Sequence, residues 1–187
     1  MSLWILRQTL TAQEEENLLH RAYVLLPFSH VPDLSHVINP QELRHILHRL
    51  DPEAPPETLM RMQERIWTQL NSLQPGDLVA VPLLHSDKVV LGETNGRYSY
   101  HVDAQGRDEH RIEIHWHTQL IPQAAFGKHR LIFKNAPDMM EVTDKEARIK
   151  IYDQLPHSYN RFAKWKWLMG GIILLQSAAM LFGMMRK

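Results

Sequence analysis

Residues 75–117 read PGDLVAVPLLHSDKVVLGETNGRYSYHVDAQGRDEHRIEIHWH, and their pattern decides the fold. Pro75-Gly76-Asp77 is a turn signal leading into Leu78–Leu84, an apolar run of strand length that reads as buried on both faces. His85-Ser86-Asp87-Lys88 reverses the chain, and Val89–Thr94 is a second strand. Asn95-Gly96 has the φ > 0 preference of a tight hairpin, with Tyr98–Val102 returning. After the polar loop Asp103–Glu109, Arg111–His117 alternates Ile112, Ile114 and Trp116 with Glu113 and His115, a half-buried strand of period 2. Short strands joined locally must hide their edges, and the expected solution is a small open β-barrel.

Helices flank this core. Thr11 and Glu14 have the spacing of a capping box, which predicts a helix to about Arg21, followed by a strand at Tyr23–Leu26. The proline-containing PFSHVPDLSHV that follows is a loop. Asn39-Pro40 with Glu42 opens a second helix carrying Leu43, Ile46, Leu47 and Leu50. Beyond the break at 52–56, a third helix over about Glu57–Leu73 buries Leu59, Met62, Ile66, Leu70 and Leu73. Downstream, Ile121–Phe126 predicts one helical turn, Leu131–Lys134 a fifth core strand, Asn135–Thr143 irregular chain and Asp144–Gln154 a helix. The expected class is α+β, with a domain over residues 1–155.

The formal net charge is zero, but residues 1–155 carry five more acids than bases, while residues 156–187 carry five Lys and Arg and no acid. So acidic a domain is no general polyanion binder, because such binding needs many phosphate-neutralising cations. Cysteine is absent, which removes disulfides and thiolate chemistry. Residues 156–166 read as a basic linker. Trp167–Met185 runs for 19 residues without a charge, roughly 28 Å as a helix at about 1.5 Å per residue, against a hydrocarbon core of about 30 Å. Lys164 and Lys166 flank it on one side, Arg186 and Lys187 on the other, and Trp165 and Trp167 sit at belt positions. Gly170, Gly171 and Gln176 would let two such helices associate into a homo-oligomer. The N-terminus has no secretory pattern. The expectation is a single-pass, tail-anchored protein of a bacterial inner membrane, with its domain in the cytoplasm.

Several segments together resemble one family. They are Trp4–Arg7, AYVLLPFSHVPDLS at 22–35, the helix capped by Asn39, LQPGDLVAVPL at 73–83, Val90–Glu93 with Tyr98–Tyr100, Ile114–Trp116, and IPQAAF at 121–126. This order is similar to the EVE/PUA-like domain, often fused in bacteria to Mrr-type restriction endonucleases, over roughly residues 3–135. The resemblance implies a β-barrel with packed helices that binds nucleic acid, holds a modified, flipped-out base in an aromatic pocket, and serves phage defence. No nuclease follows the domain in this sequence.

A held base needs a planar apolar face and hydrogen-bond partners for its edge. The candidates are Phe28, Ser29 and Asp33 from the first loop, Tyr98 and Tyr100 from the hairpin, and Trp116 at the rim. Phe28 stands where related domains tend to carry tryptophan. Four of them have a plainer alternative: Trp116 as core, the two tyrosines as packing residues sharing a strand face, and Asp33 as a brace of its own loop. His115/His117 and His45/His48 have pairwise metal-ligand spacings, yet no four-ligand pattern exists, so neither metal nor cofactor is expected. Glu93 and Asp77 are the nearest approach to a carboxylate pair, and Asp77 belongs to a turn. With no phosphate loop and no nucleophile elbow, the chain reads as a non-enzyme. Two rival readings stand beside this one. One is an effector whose membrane helix perturbs the bilayer in response to a nucleotide-like signal, and the other an adaptor that has lost ligand binding and recruits a separate nuclease to the membrane.

Overall fold

The computed structural model describes residues 1–28 and 30–156, and of residues 118 and 119 the backbone alone. Six strands form one mixed sheet: β1 (Leu3–Leu6), β2 (Tyr23–Leu25), β3 (Leu78–Leu83), β4 (Lys88–Val102), β5 (Asp108–Pro122) and β6 (Met139–Glu141). Their spatial order is β2-β5-β4-β3-β1-β6, with β1 and β3 parallel and every other pair antiparallel. The helices are α1 (Ala12–Asn17), α2 (Pro40–Leu50), α3 (Pro56–Asn71), α4 (Leu131–Asn135) and α5 (Lys145–Tyr152).

The caps behave as the spacing predicts. The Thr11–Glu14 box closes reciprocally at the start of α1, and the Asn39 side chain accepts from the Glu42 N–H at 2.9 Å to start α2. Leu43 and Leu47 of α2 and Leu59 and Ile66 of α3 enter a core shared with Leu6, Val24, Phe28, Val79, Val81, Val90, Ile112, Ile114 and Trp116. On α3 one expected stripe position changes hands: Met62 is exposed, and Gln69 is buried instead.

The barrel expectation is corrected to an open sheet, and the hairpin expected at Asn95-Gly96 to a bulge. This dipeptide does not turn the chain back. It forms a bulge inside a single 15-residue strand, β4, which pairs with β5 on both sides of it. Between Thr94 and Tyr98 four steps along β4 face two along β5. The surplus N–H groups are taken by side chains: Gly96 N–H by Thr94 Oγ1 and Arg97 N–H by Asn95 Oδ1, both at 2.9 Å. Gly96 has φ +71°, and a Cβ there would meet Pro75 Cδ at 2.9 Å, so the turn before β3 packs directly on the bulge. The sheet does not close, because β2 and β6 are its two ends and do not pair. At the β2 end the Gln8 amide stands in for a further strand, donating to Leu25 O (2.8 Å) and accepting from Leu25 N–H (3.0 Å). At the other end the edge strand is only three residues long.

Three further expectations change. The helical turn expected from Ile121 is present but begins at Gln123, as a 3-10 helix over Gln123–Arg130, because Ile121 and Pro122 end β5; Leu131–Lys134 is helical as part of α4, and the 135–143 segment contains β6. Among the described residues no helix is long and apolar enough to cross a membrane. The longest, α3, has 16 residues and carries Glu57, Arg61, Glu64 and Arg65. The fold class with a transmembrane helix, and the single-pass inner-membrane placement resting on it, are therefore set aside. The segment 167–185, with Lys164, Trp165, Trp167, Gly170, Gly171 and Gln176, lies outside the described residues.

The chain divides into two compact units, Met1–Arg148 and Ile149–Lys187. In the second, residues 149–156 are described: the end of α5 and a turn closed by Gln154 N–H to Ile151 O and Leu155 N–H to Tyr152 O, each 3.1 Å.

Candidate functional site

The two faces of the β4–β5 ribbon offer two different constellations. On the inner face, the first buried position of β5 is His110, 1 % exposed, followed at period 2 by Ile112, Ile114 and Trp116. His110 Nε2 lies 2.9 Å from Val31 O, and a carbonyl only accepts, so Nε2 carries the proton. Nδ1 then accepts from the Tyr98 hydroxyl at 2.7 Å, and the Tyr98 oxygen accepts from Leu34 N–H at 3.2 Å. This relay pins Val31 and Leu34, in the chain that follows β2, to the sheet. Burial pushes the His110 pKa down and the Tyr98 phenol up to about 12, so both stay neutral at physiological pH.

Around His110 the structure gathers three of the residues singled out from sequence. Phe28 lies with its ring 4.6 Å from the imidazole, Tyr98 stacks at 5.9 Å and Tyr100 meets it edge-on at 5.5 Å. Phe28 is 4 % exposed and belongs to the core. The Tyr100 hydroxyl donates to Asp108, which raises the tyrosine pKa. Asp33 is exposed and braces its own loop, accepting from Ser35 N–H (2.9 Å) and Ser35 Oγ (2.6 Å); the Ser35 hydroxyl holds its carboxyl below the usual range. Ser29 lies outside the described residues. Trp116 is apart from this cluster. It sits opposite Gly92 and donates its indole N–H to Arg21 O, and a Cβ on Gly92 would stand 2.8 Å from its ring. Trp116 is a core residue held by a glycine-shaped gap.

The outer face of the same ribbon is open. A cleft of about 650 Å³ lies between β2, the bulge of β4 and the middle of β5, within the usual range for small-molecule sites. It is lined by Ala22, Pro75 and Gly76 together with Tyr23, Glu93, Arg111 and Glu113. The Arg111 guanidinium lies over the Tyr23 ring, 4.0 Å from its centroid. Its edge is held by Glu109, with Nε 2.9 Å from Oε2 and Nη2 bonded to the same oxygen. A planar cation is thus clamped from below and from the side. Glu113 is steered by Asn95 of the bulge, whose amide donates to Oε2, and Glu93 sits opposite His115 across the strands. The wall therefore combines one preorganised plane with carboxylate acceptors at its margin.

These cleft residues were not singled out from sequence, apart from Glu93 and His115, weighed there for other chemistry. Outward positions of an alternating strand look the same whether they are solvated or line a cleft. Carrying the 110–112–114–116 alternation back by one pair would have exposed His110. Among the described residues no group of three or more His, Asp or Glu is placed to hold a metal ion.

No protein-family model, curated protein or solved structure matches the chain.

Proposed function

We propose that this chain is a nucleic-acid recognition module that holds one unstacked base in the outer cleft of the β4–β5 ribbon and catalyses no reaction. The observation that carries this reading is the Arg111 guanidinium, clamped between the Tyr23 ring and Glu109 on the wall of a cleft of about 650 Å³. A fixed guanidinium plane is a stacking surface for a base, and carboxylates at its margin accept from the N–H groups of a base edge. The same carboxylates repel phosphate, so the cleft favours the base over the backbone, in keeping with the acidic balance of residues 1–155. The preference for a modified base, and a role in defence against invading DNA, rest on the resemblance to EVE/PUA-like domains.

Calorimetric titration with a short single strand carrying one methylated base, against the same strand unmethylated, tests this. Tighter binding of the methylated strand and a shallow salt dependence are expected. Arg111→Ala should weaken binding by about 1–3 kcal/mol, the usual size of a base-stacking contribution. Equal affinity of wild type and Arg111→Ala would remove the reading.

A further inference from the structure

A second cleft, of about 360 Å³, opens at the other end of the sheet, between α3 and the strands β1 and β6. Arg61, Glu64 and Gln69 reach it from α3 at i, i+3 and i+8, which places them on one helical face. Trp4 of β1 and Met139 of β6 line the opposite side. Gln69 is 4 % exposed, and its carbonyl oxygen Oε1 is buried with no hydrogen-bond partner. Buried polar atoms are nearly always satisfied, so an orphaned acceptor on a cleft wall marks a place for a donor that is absent. Two of the four charged residues lining the cleft are uncommitted as well, while Glu141 accepts from the Ser2 hydroxyl at 2.7 Å. Arg61 and Glu64 make no ion pair with each other or with any other described residue, whereas Arg65 on the same face is engaged by Asp138 at 3.8 Å.

We propose that this cleft binds a small amphipathic zwitterion of amino-acid size. An ammonium group has three N–H donors, enough for Gln69 Oε1 and Glu64 together, with the Gln69 amide turning toward the ligand as it binds. The carboxylate pairs with Arg61, and a large apolar side chain lies between the Trp4 indole and the Met139 thioether. This site is separate from the base-holding cleft and does not depend on it.

The test is a titration of the full chain with L-leucine, L-methionine and L-phenylalanine, followed by calorimetry and by the side-chain amide resonance of Gln69. N-acetyl-L-leucine amide, which lacks both charges, serves as the control. Saturable binding of a free amino acid with a shifted Gln69 resonance is expected, and the control should bind at least about tenfold more weakly. Gln69→Leu and the exposed Arg61→Ala should each weaken binding by about tenfold or more, and Arg111→Ala should leave it unchanged. If Gln69→Leu fails to fold, Arg61→Ala decides. Equal binding of the control, undiminished binding by Arg61→Ala, or no binding of any of the three amino acids would overturn the proposal.

Discussion

Tyr98 donates its hydroxyl proton to Nδ1 of His110 at 2.7 Å, while the same oxygen receives Leu34 N–H at 3.2 Å. One phenol thereby joins β4, β5 and the loop after β2. Tyr98→Phe leaves the imidazole nitrogen and the Leu34 N–H both unpaired in a closed environment. Each orphaned group costs about 1–3 kcal/mol, so urea denaturation should show a loss of at least that size. Because the outer cleft lies on the opposite face of the ribbon, base binding should survive in the folded fraction.

Stability should depend on pH through the same histidine. Burial lowers the pKa of His110 in the folded chain, against an unfolded value of about 6.5, with the bond to the Val31 carbonyl and then the charges of Asp108 and Asp33 opposing the shift. Below about 6.5 the unfolded chain takes a proton that the folded chain refuses, so stability falls as pH drops toward the folded pKa and is fully present above about 6.5. His117 is shifted in the same direction by burial and adds to the effect. Thermal melts between pH 7.5 and 5 should show the decline, and His110→Gln should flatten part of it. A melt independent of pH over that range would contradict this placement of His110.

Gly92 stands where a side chain has no room. A Cβ would lie 2.5 Å from Ile114 Cγ2 and 2.8 Å from Trp116 Cε3, both on the neighbouring strand. Gly92→Ala should therefore destabilise by about 1–3 kcal/mol through overpacking, read as a lower melting temperature. Gly106→Ala is a useful contrast: its φ of +78° strains the backbone, but nothing lies within 4 Å of the new methyl group. A smaller loss is expected there.

The sheet edge at β2 depends on one amide. Gln8→Leu keeps the bulk of the side chain and removes both bonds to Leu25, leaving a backbone donor and acceptor without partners. Hydrogen exchange of the Leu25 amide should accelerate well before global unfolding. Unchanged protection would mean that the edge is covered by something else.

Much of this architecture can be read from residues 75–117 and the helix starts, because strand period and caps are local signals. Thr11, Asn39 and the alternation of Ile112, Ile114 and Trp116 are such cases. Asn95-Gly96 is the opposite case. The dipeptide permits positive φ wherever it stands, and whether it closes a hairpin or bulges a long strand is decided by β5, whose pairing continues beyond it. Polar Asp108 and Glu109 hid the start of β5, and with it His110. The outer cleft was illegible for a related reason. Tyr23 comes from a strand far in sequence from the one that carries Arg111 and Glu113, and only the register of the two strands places Tyr23 opposite Glu113 and Arg111 over the tyrosine ring.

The most direct measurement is a nuclear magnetic resonance titration of the full chain with nucleoside monophosphates, methylated and plain, mapped residue by residue. The base-holding reading predicts saturable shifts clustered on Tyr23, Glu93, Arg111 and Glu113, with Phe28 and His110 on the inner face nearly still. Shifts centred on Phe28, Tyr98 and His110, or no saturable shifts at all, would contradict it.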